Sequence, residues 1–213
     1  MSSGLRGACP PSDLWTRLAP SHARHDGRPN AKGGWLSTTR LSVFIASSLD
    51  GYIATGDGSL AWLEQTASSD EERGYSSLLG SVDALAMGRG TYDYIAHVDL
   101  LPFDGRPVFV FTHHPPQPRD GVTFWQELPQ AALDRWTAMG LDRVYIDGGA
   151  LISDFVAEGL IDDLALTKAP LLLGAVYPCF TLPVSTHLRL QDVKSWPSGF
   201  VKLSYSRVQQ GGS

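Results

Sequence analysis

The sequence has little of several features that would narrow its function at once. It has two cysteines in 213 residues, Cys9 near the N-terminus and Cys179 in the body, so neither a disulfide framework nor a metal-spaced cluster is expected. No apolar run approaches the roughly 20 residues that cross a bilayer. The Gly-x-Gly-x-x-Gly dinucleotide fingerprint is also missing. We therefore expect a protein without a metal site or a membrane contact, in a reducing, cytoplasmic compartment.

Charge is distributed unevenly along the chain. Residues 1–40 carry six Lys or Arg and two Asp, whereas the remainder carries 11 basic and 20 acidic residues. An acidic body is not expected to bind nucleic acid, so any anion site in it has to be local. Residues 1–40 lack hydrophobic periodicity and contain four prolines. We interpret them as a disordered extension, and residues 41–208 as one domain with an extensive core.

Short apolar runs alternate with amphipathic segments through residues 41–208. Strands are predicted at 41–47, 82–87, 107–112, 143–147 and 163–168, with brief extended residues at 52–54. Helices are predicted from Ser69 or Asp70 to Leu79, and over 91–98, 128–139 and 150–158. The alternation in 188–193 and 200–208 predicts antiparallel strands that are added last. This pattern predicts an α/β fold with a mostly parallel central sheet.

Two junctions between a strand and a helix carry glycines. One is Gly148-Gly149, and the other is the segment 86–92, which contains Gly88, Arg89 and Thr91. Glycine lets a backbone approach a phosphate closely, and the first amides of a helix point free N–H groups at an anion. The alternative is a pair of ordinary turns with an exposed arginine. Two such junctions at the carboxyl ends of parallel strands favour a ligand site.

Four segments together resemble a known superfamily: 41–54 with Asp57–Trp62, Met87–Tyr92, Tyr145–Ile152, and 171–174 with Pro178–Phe180. In this order they resemble the dihydrofolate reductase superfamily, and most of all the C-terminal reductase domain of the bifunctional riboflavin-biosynthesis deaminase/reductase. The resemblance implies a three-layer sandwich and an NADPH-dependent reductase. Such an enzyme would transfer hydride to a C=N or C=O bond of a small heterocyclic or sugar-derived substrate. It also implies a homodimer.

The resemblance also implies a set of cofactor contacts. Arg89 would lie near the 2′-phosphate or the pyrophosphate, which favours NADPH over NADH because a phosphate seeks cationic partners. His113 could add to this contact, or it could belong to a solvated loop. The full implied set is Ala46, Gly88, Arg89, Thr91, Tyr92, Thr112, His113, Gly148, Gly149, Ala150, Leu151 and Ile152.

Two acids and two aromatic residues are candidates for the substrate side. In the riboflavin branch an acid directly before the Gly-Gly pair faces the substrate, and Asp147 has that place here; alternatively it caps the following helix. Asp50 is the candidate catalytic proton source, or else it only stabilises an Asp-Gly turn. Trp62 and Tyr52 could wall a flat substrate, although core packing is the commoner role of aromatic side chains.

The sequence departs from the superfamily at two places. Folate-reducing members carry a buried carboxylate near the position of Ala67, for which Glu64 or Asp70 would have to substitute. The zinc-deaminase signature is also missing, and Pro178-Cys179 stands alone. Two alternatives to the riboflavin-like reductase stay open, namely a non-catalytic nucleotide-binding or sensor protein on the same fold and a true dihydrofolate reductase.

Overall fold

The computed structural model describes residues 28–29, 35–36, 38–66, 75–96, 105–174, 177–183 and 185–208. The strands within these ranges are β1 Arg28–Pro29, β2 Trp35–Leu36, β3 Arg40–Ser47, β4 Tyr52–Ala54, β5 Ala84–Gly88, β6 Val108–Phe111, β7 Val122–Trp125, β8 Arg143–Asp147, β9 Asp163–Lys168, β10 Tyr177–Pro178, β11 Leu188–Ser195 and β12 Val201–Arg207. The helices are α1 Ala61–Thr66, α2 Tyr75–Leu79, α3 Arg89–Ala96, α4 Pro129–Ala138 and α5 Gly149–Ala157.

Eight strands form one sheet in the order β11-β12-β9-β3-β8-β5-β6-β7. The six strands from β9 to β7 are parallel. β12 runs antiparallel to β9, and β11 runs antiparallel to β12. The prediction of a mostly parallel sheet with antiparallel C-terminal strands is confirmed.

Helices cover both faces of this sheet. On one face, α4 and α5 bury a cluster of aromatic rings, in which Trp125 and Trp136 stack at 5.6 Å between centroids and 22° between planes. Phe155 stacks on the other side of Trp136 at 5.9 Å. On the opposite face, α2 and α3 pack on Phe44 and neighbouring residues of the sheet. The sheet and its two helix layers form the expected sandwich.

The amino ends of three central strands are joined by charged side chains. Arg40 of β3 donates from Nε and Nη2 to the two carboxylate oxygens of Asp163 in β9, at 2.5 and 2.6 Å. Arg143 of β8 donates to Asp163 at 3.2 Å and to the Ser42 hydroxyl at 2.8 Å. These contacts fix the relative register of β3, β8 and β9, and with it the positions of their carboxyl ends.

That register brings the carboxyl ends of the parallel strands together at one edge. Ala46 is level with Thr167, Met87 with Asp147, and Gly88 with Phe111. The turns after β3, β5, β6 and β8 therefore lie at the edge where open α/β sheets bind ligands.

Most predicted elements are present, with differences at the ends of the elements. The strands predicted at 143–147 and 163–168 are confirmed at both ends. The sequence does not predict β1, β2, β7, β10 or α1, and the short strands β1 and β2 lie within the expected extension 1–40. Ser69, Asp70 and Ala67 lie outside the described residues, as do residues 1–27, so the predicted helix start and the disordered extension stay predictions. In the described part of the chain, no helix is long and apolar enough to cross a membrane.

Candidate active site

A cavity of about 430 Å³ opens at the carboxyl edge of the sheet, among β3, β4, β8, α3 and α5. Its walls are mostly apolar, formed by Phe44, Ile45, Ala46, Ile53, Ala54, Leu60, Leu63, Ile95 and Leu151. The polar side chains on its surface are those of Arg89, Thr91, Tyr94, Asp147 and Tyr177, and backbone is presented by Gly58, Gly88, Gly90, Gly148, Gly149 and Ala150. The volume lies in the range of small-molecule sites, which is about 300–1,000 Å³.

Two helices begin at this cavity. α3 starts at Arg89, directly after β5, and α5 starts at Gly149, directly after the Gly148 N-cap. In α5 the amide of Ile152 donates the first helical hydrogen bond to the Gly148 carbonyl, at 2.9 Å. The amides of Gly149, Ala150 and Leu151, which precede Ile152 in α5, have no helical carbonyl to bind, as in the first turn of any helix. They need another hydrogen-bond acceptor. Two helix N-termini at one cavity favour an anion there.

The glycines of the α5 junction are required by the protein's own packing. Gly148 has φ 90°, and a Cβ built on it would lie 2.6 Å from Thr91 Oγ1. A Cβ on Gly149 would lie 3.0 Å from the carbonyl oxygens of Pro178 and Cys179. At Gly90 of α3, by contrast, a Cβ would meet nothing within 4 Å. A ligand could therefore approach the backbone closely at Gly90 of α3. At Gly148 and Gly149 the space that a side chain would need is filled by Thr91, Pro178 and Cys179 of the protein itself.

Arg89 is held at the mouth of the cavity by two hydrogen bonds. Its Nε donates to Asp93 Oδ1 at 2.7 Å, one turn along α3, and its Nη1 donates to the His114 carbonyl at 2.5 Å. The His114 amide donates to Thr112 Oγ1 at 3.1 Å. Thr112 and His113 do not line the cavity, but the loop that carries them is tied to it through Arg89.

Asp147 ends β8, is partly buried as a residue and lines the cavity. Burial raises the pKa of Asp147 to about 6, against the lowering effect of hydrogen bonds from the Gly148 amide and Tyr145. The Gly148 amide donates to Oδ1 at 2.8 Å. A carboxyl with this pKa exchanges a proton close to neutral pH, as general acids do.

Asp50 lies outside the cavity lining. Its exposed carboxylate accepts hydrogen bonds from Ser48 Oγ at 2.5 Å, from the Leu173 amide at 3.1 Å and from the Gly174 amide at 2.7 Å. The Ser48 and Gly174 donors are the main reason that the pKa of Asp50 is lowered to about 2. An ionised carboxylate has no proton to give at neutral pH, so the geometry favours the turn-stabilising alternative.

Four other predicted residues also lie outside the lining. Trp62 is buried against Phe200, with its Nε1 donating to the Ile53 carbonyl at 3.1 Å. Tyr92 packs edge-on against Phe124 at 5.5 Å between centroids. Ile152 is fully buried, and Tyr52 pairs with Pro178 between β4 and β10.

Their neighbours Tyr94 and Ile53 line the cavity instead, together with Tyr177. On α3, Thr91, Tyr94 and Ile95 lie three and four residues apart on one face, and Tyr92 packs in the buried cluster that borders this face at Ile95. On β4, alternation puts Ile53 on the face opposite to Tyr52. Periodicity separates these neighbours but does not show which face borders the cavity, and Tyr177 lies on a two-residue strand that carries no such pattern.

Residues 39–201 match the family model described as the RibD C-terminal domain. The chain belongs to this family. Among the described residues, no group of three or more His, Cys, Asp or Glu could hold a metal ion.

Similar proteins agree with this membership. The uncharacterized protein YwjB of Bacillus subtilis (strain 168) is 36% identical over 170 residues, which cover 78% of this chain and 97% of YwjB. A solved structure from Shewanella sp. PV-4, which bears the name of a riboflavin biosynthesis protein, is 32% identical with a TM-score of 0.74; it covers 80% of this chain and 100% of that one.

A second solved structure belongs to a larger protein. The diaminohydroxyphosphoribosylaminopyrimidine deaminase/5-amino-6-(5-phosphoribosylamino)uracil reductase of Thermotoga maritima is matched with a TM-score of 0.59 at 14% identity. The match covers 80% of this chain but 57% of that protein. At this identity the likeness shows a shared fold, and this chain is similar to about half of the larger protein.

Proposed function

We propose that this protein is an NADPH-dependent reductase that transfers hydride to a C=N or C=O bond of a small heterocyclic or sugar-derived substrate. Its membership of the RibD C-terminal domain family suggests an oxidoreductase. The observation that carries the proposal is one cavity that combines the N-termini of α3 and α5, the Arg89 guanidinium and the Asp147 carboxyl.

The residues of the cavity fit a phosphorylated dinucleotide. The space above Gly90 is open, so a pyrophosphate could approach the first amides of α3, and the start of α5 borders the same cavity. Arg89 has its Nε and Nη1 held by Asp93 and His114, which fixes the guanidinium at the cavity, where its charge would favour a phosphate. A bound NADPH would supply the hydride.

Asp147 is the group in this cavity best suited to hold the proton that the reduced bond needs. With a pKa of about 6, the carboxyl is half protonated near pH 6 and loses most of its proton by pH 7. The Gly148 amide donates to Oδ1 and Tyr145 also hydrogen-bonds the carboxyl, so the protein holds this group in place. The surrounding apolar side chains exclude water, which strengthens such a contact.

Nucleotide titration tests the cofactor half of the proposal. We expect NADPH to quench the tryptophan fluorescence at micromolar concentration and NADH to bind more weakly. Arg89→Ala should raise the Kd for NADPH on the order of tenfold and leave the Kd for NADH almost unchanged. Arg189→Ala is the matched control, since Arg189 is exposed on β11 away from the cavity. Failure of both nucleotides to bind at millimolar concentration would refute the proposal.

Substrate reduction is tested separately by following NADPH oxidation. Suitable compounds are dihydrofolate and the ribosylaminopyrimidines related to the substrate named for the Thermotoga protein. NADPH binding without oxidation in the presence of any of them would favour the sensor alternative. The homodimer stays a prediction, and a monomeric mass in solution would remove it.

A further inference from the structure

The cavity of the candidate active site opens where β3 and β8 separate. The last pair in register between these two strands is Val43 with Ile146, whereas β3 stays paired with β9 as far as Ser47. The next residue of each strand, Phe44 in β3 and Asp147 in β8, lines the cavity. A side chain that spans the gap between the two strands can therefore connect the backbone of β3 with the acid.

Tyr145 of β8 spans this gap with its hydroxyl. The residue is 1% exposed and packs in the same core cluster as Phe44. Its Oη donates to the Phe44 carbonyl at 2.8 Å. Asp147 follows two residues later on β8, and side chains two apart on a strand lie on one face. The Asp147 carboxyl also forms a hydrogen bond with Tyr145, so one hydroxyl contacts both the backbone of β3 and the acid.

The hydroxyl of Tyr145 has only one proton to donate. While Asp147 is protonated, its carboxyl can donate to Tyr145 Oη, and the tyrosine proton can stay on the Phe44 carbonyl. An ionised carboxylate only accepts, so a bond between it and Tyr145 requires the tyrosine proton. A hydrogen bond to a carboxylate is stronger than one to a neutral carbonyl. The partner of the hydroxyl should therefore depend on the charge of Asp147.

We propose that Tyr145 is a positioning residue whose hydroxyl donates to Phe44 while Asp147 carries a proton, and turns to Asp147 once that proton has passed to the substrate. The proton leaves the Asp147 carboxyl for the reduced bond, and NADPH supplies the hydride. Tyr145 keeps its own proton throughout, and only its hydrogen bond changes partner. The proposal rests on the proposed function for the role of Asp147 as the proton source.

Other ionisable side chains line this cavity or the smaller one that adjoins it, namely those of Arg89 and Tyr94 on α3, Asp154 on α5 and Tyr177 on β10. Among the described residues, β3, β4 and β5 bring no ionisable side chain to the lining. The Asp147 carboxyl itself is bonded by Tyr145 and by the Gly148 amide. Of these two donors, only the hydroxyl can change its partner, so the titration of Asp147 should respond to it.

Titration of Asp147 in Tyr145→Phe tests the proposal without cofactor or substrate. The variant removes one hydroxyl, so the carboxylate loses a donor and the pKa of Asp147 should rise, with a proton affinity about tenfold higher. Infrared difference spectra of the full-length chain, from pH 4 to pH 9, follow the protonated carboxyl. Its band is assigned by its loss in Asp147→Asn. An unchanged or lowered pKa in Tyr145→Phe would overturn the proposal.

Tyr92→Phe is the matched control for this titration. Tyr92 is buried in the same core cluster as Tyr145 but lies outside the cavity lining. Loss of its hydroxyl should leave the pKa of Asp147 where it is in the wild type. An equal rise in both variants would mean that the pKa responds to any change in the cluster, and the proposal would be wrong.

Urea unfolding at pH 4 and pH 8 separates this role from a purely structural one. The free energy of unfolding lost in Tyr145→Phe should be larger at pH 8, because only there does the hydroxyl hold an ionised carboxylate. In the Asp147→Asn background the loss should be the same at both pH values. A loss that is also independent of pH in the presence of Asp147 would show that the hydroxyl serves only Phe44.

The pH profile of kcat/KM distinguishes failure of this proposal from failure of the proposed function. In Tyr145→Phe the fall in rate should move to higher pH together with the pKa of Asp147. If NADPH neither binds nor is oxidised while the pKa still rises, the reductase assignment is wrong and the coupling of Tyr145 to Asp147 stands. If the protein is active and neither the profile nor the pKa moves, the role of Tyr145 is wrong and the reductase assignment stands.

Discussion

Asp50-Gly51 and Asp147-Gly148 are the same dipeptide at the same edge of the sheet. The glycine has positive φ in both, 93° at Gly51 and 90° at Gly148. The exposed Asp50 carboxylate is fixed by a hydroxyl and two amides, and its pKa is lowered to about 2. Asp147 lines a mostly apolar cavity, and burial raises the pKa of its carboxyl to about 6. Exposure to solvent and the number of hydrogen-bond donors around the carboxylate, rather than the local sequence, decide which of the two acids is protonated near neutral pH.

The largest expected effect is on catalysis. Asp147→Asn should lower kcat/KM on the order of 100-fold at pH 5 to 6, since this is the usual contribution of a general acid. In the wild-type protein kcat/KM should fall as the pH rises through about 6, where Asp147 loses its proton. Initial rates from pH 5 to 8, with any compound that the wild-type protein reduces, measure both effects.

Asp50→Asn is the control for this experiment and should keep the rate within about threefold, because its carboxylate lies outside the cavity lining. The Kd for NADPH should stay unchanged in both variants. A rate loss that is larger for Asp50→Asn than for Asp147→Asn would reverse the assignment of roles.

The two glycines should differ in their tolerance of a side chain. Alanine at Gly148 meets both an unfavourable φ and a contact of 2.6 Å with Thr91 Oγ1, so it should lower the free energy of unfolding by about 2 kcal/mol or more. Alanine at Gly51 meets only Lys168 Nζ at 3.9 Å and should cost about 1 kcal/mol, from the backbone alone. Urea unfolding of both variants checks this, and equal losses would contradict it.

Asp147→Asn should also stabilise the folded protein at neutral pH. The folded state binds a proton more tightly than the unfolded state, so stability falls as the pH rises from about 3.8 to about 6. Asparagine removes the buried charge and keeps an acceptor for the Gly148 amide. We expect a gain of about 1–2 kcal/mol at pH 7 and none near pH 3. Urea unfolding at the two pH values measures it, and a loss at pH 7 would show that the carboxylate is paired.

Asp50→Asn should shift stability in the opposite direction and by less. A lowered pKa means that the ionised form stabilises the fold above the unfolded value of 3.8, and that this contribution disappears as the pH falls toward about 2. The variant should therefore be less stable than the wild type at pH 7, and the two should converge in acid. Thermal unfolding at pH 7 and pH 2 compares them. A variant as stable as the wild type at pH 7 would mean that these hydrogen bonds contribute little.

The central strands could be predicted because their apolar, β-forming residues are the ones that a buried strand requires. β8 and β9 are apolar runs that are buried among neighbours on both sides, and both were predicted to the residue. β7 was missed because Val122–Trp125 is an edge strand that follows a proline-rich loop, and only Trp125 in it is buried. The segment is extended because it pairs with β6, and its own sequence has no pattern that predicts this pairing.

The glycine-containing motifs predicted correctly which backbone segments line the cavity. The sequence was a poorer guide to which side chains of a helix or strand point into it. Gly88, Arg89, Thr91 and the Asp147–Leu151 segment all line the cavity, as the motifs indicate. Tyr52, Trp62 and Tyr92 do not, because an aromatic residue has no local feature that separates a cavity wall from a core. The pKa of Asp147 depends on burial by elements distant in sequence, so it could not be read from the chain.

The stacked pair of Trp125 and Trp136 has a use in optical spectroscopy. Two indoles 5.6 Å apart share their electronic excitation, and within the asymmetric core their coupled transitions should give a circular dichroism couplet. Trp125 lies on the edge strand β7 and Trp136 on α4. The couplet therefore vanishes when the helix leaves the sheet, even if both elements keep their secondary structure. The chain thus carries an intrinsic optical reporter of its docked aromatic layer, which needs no label.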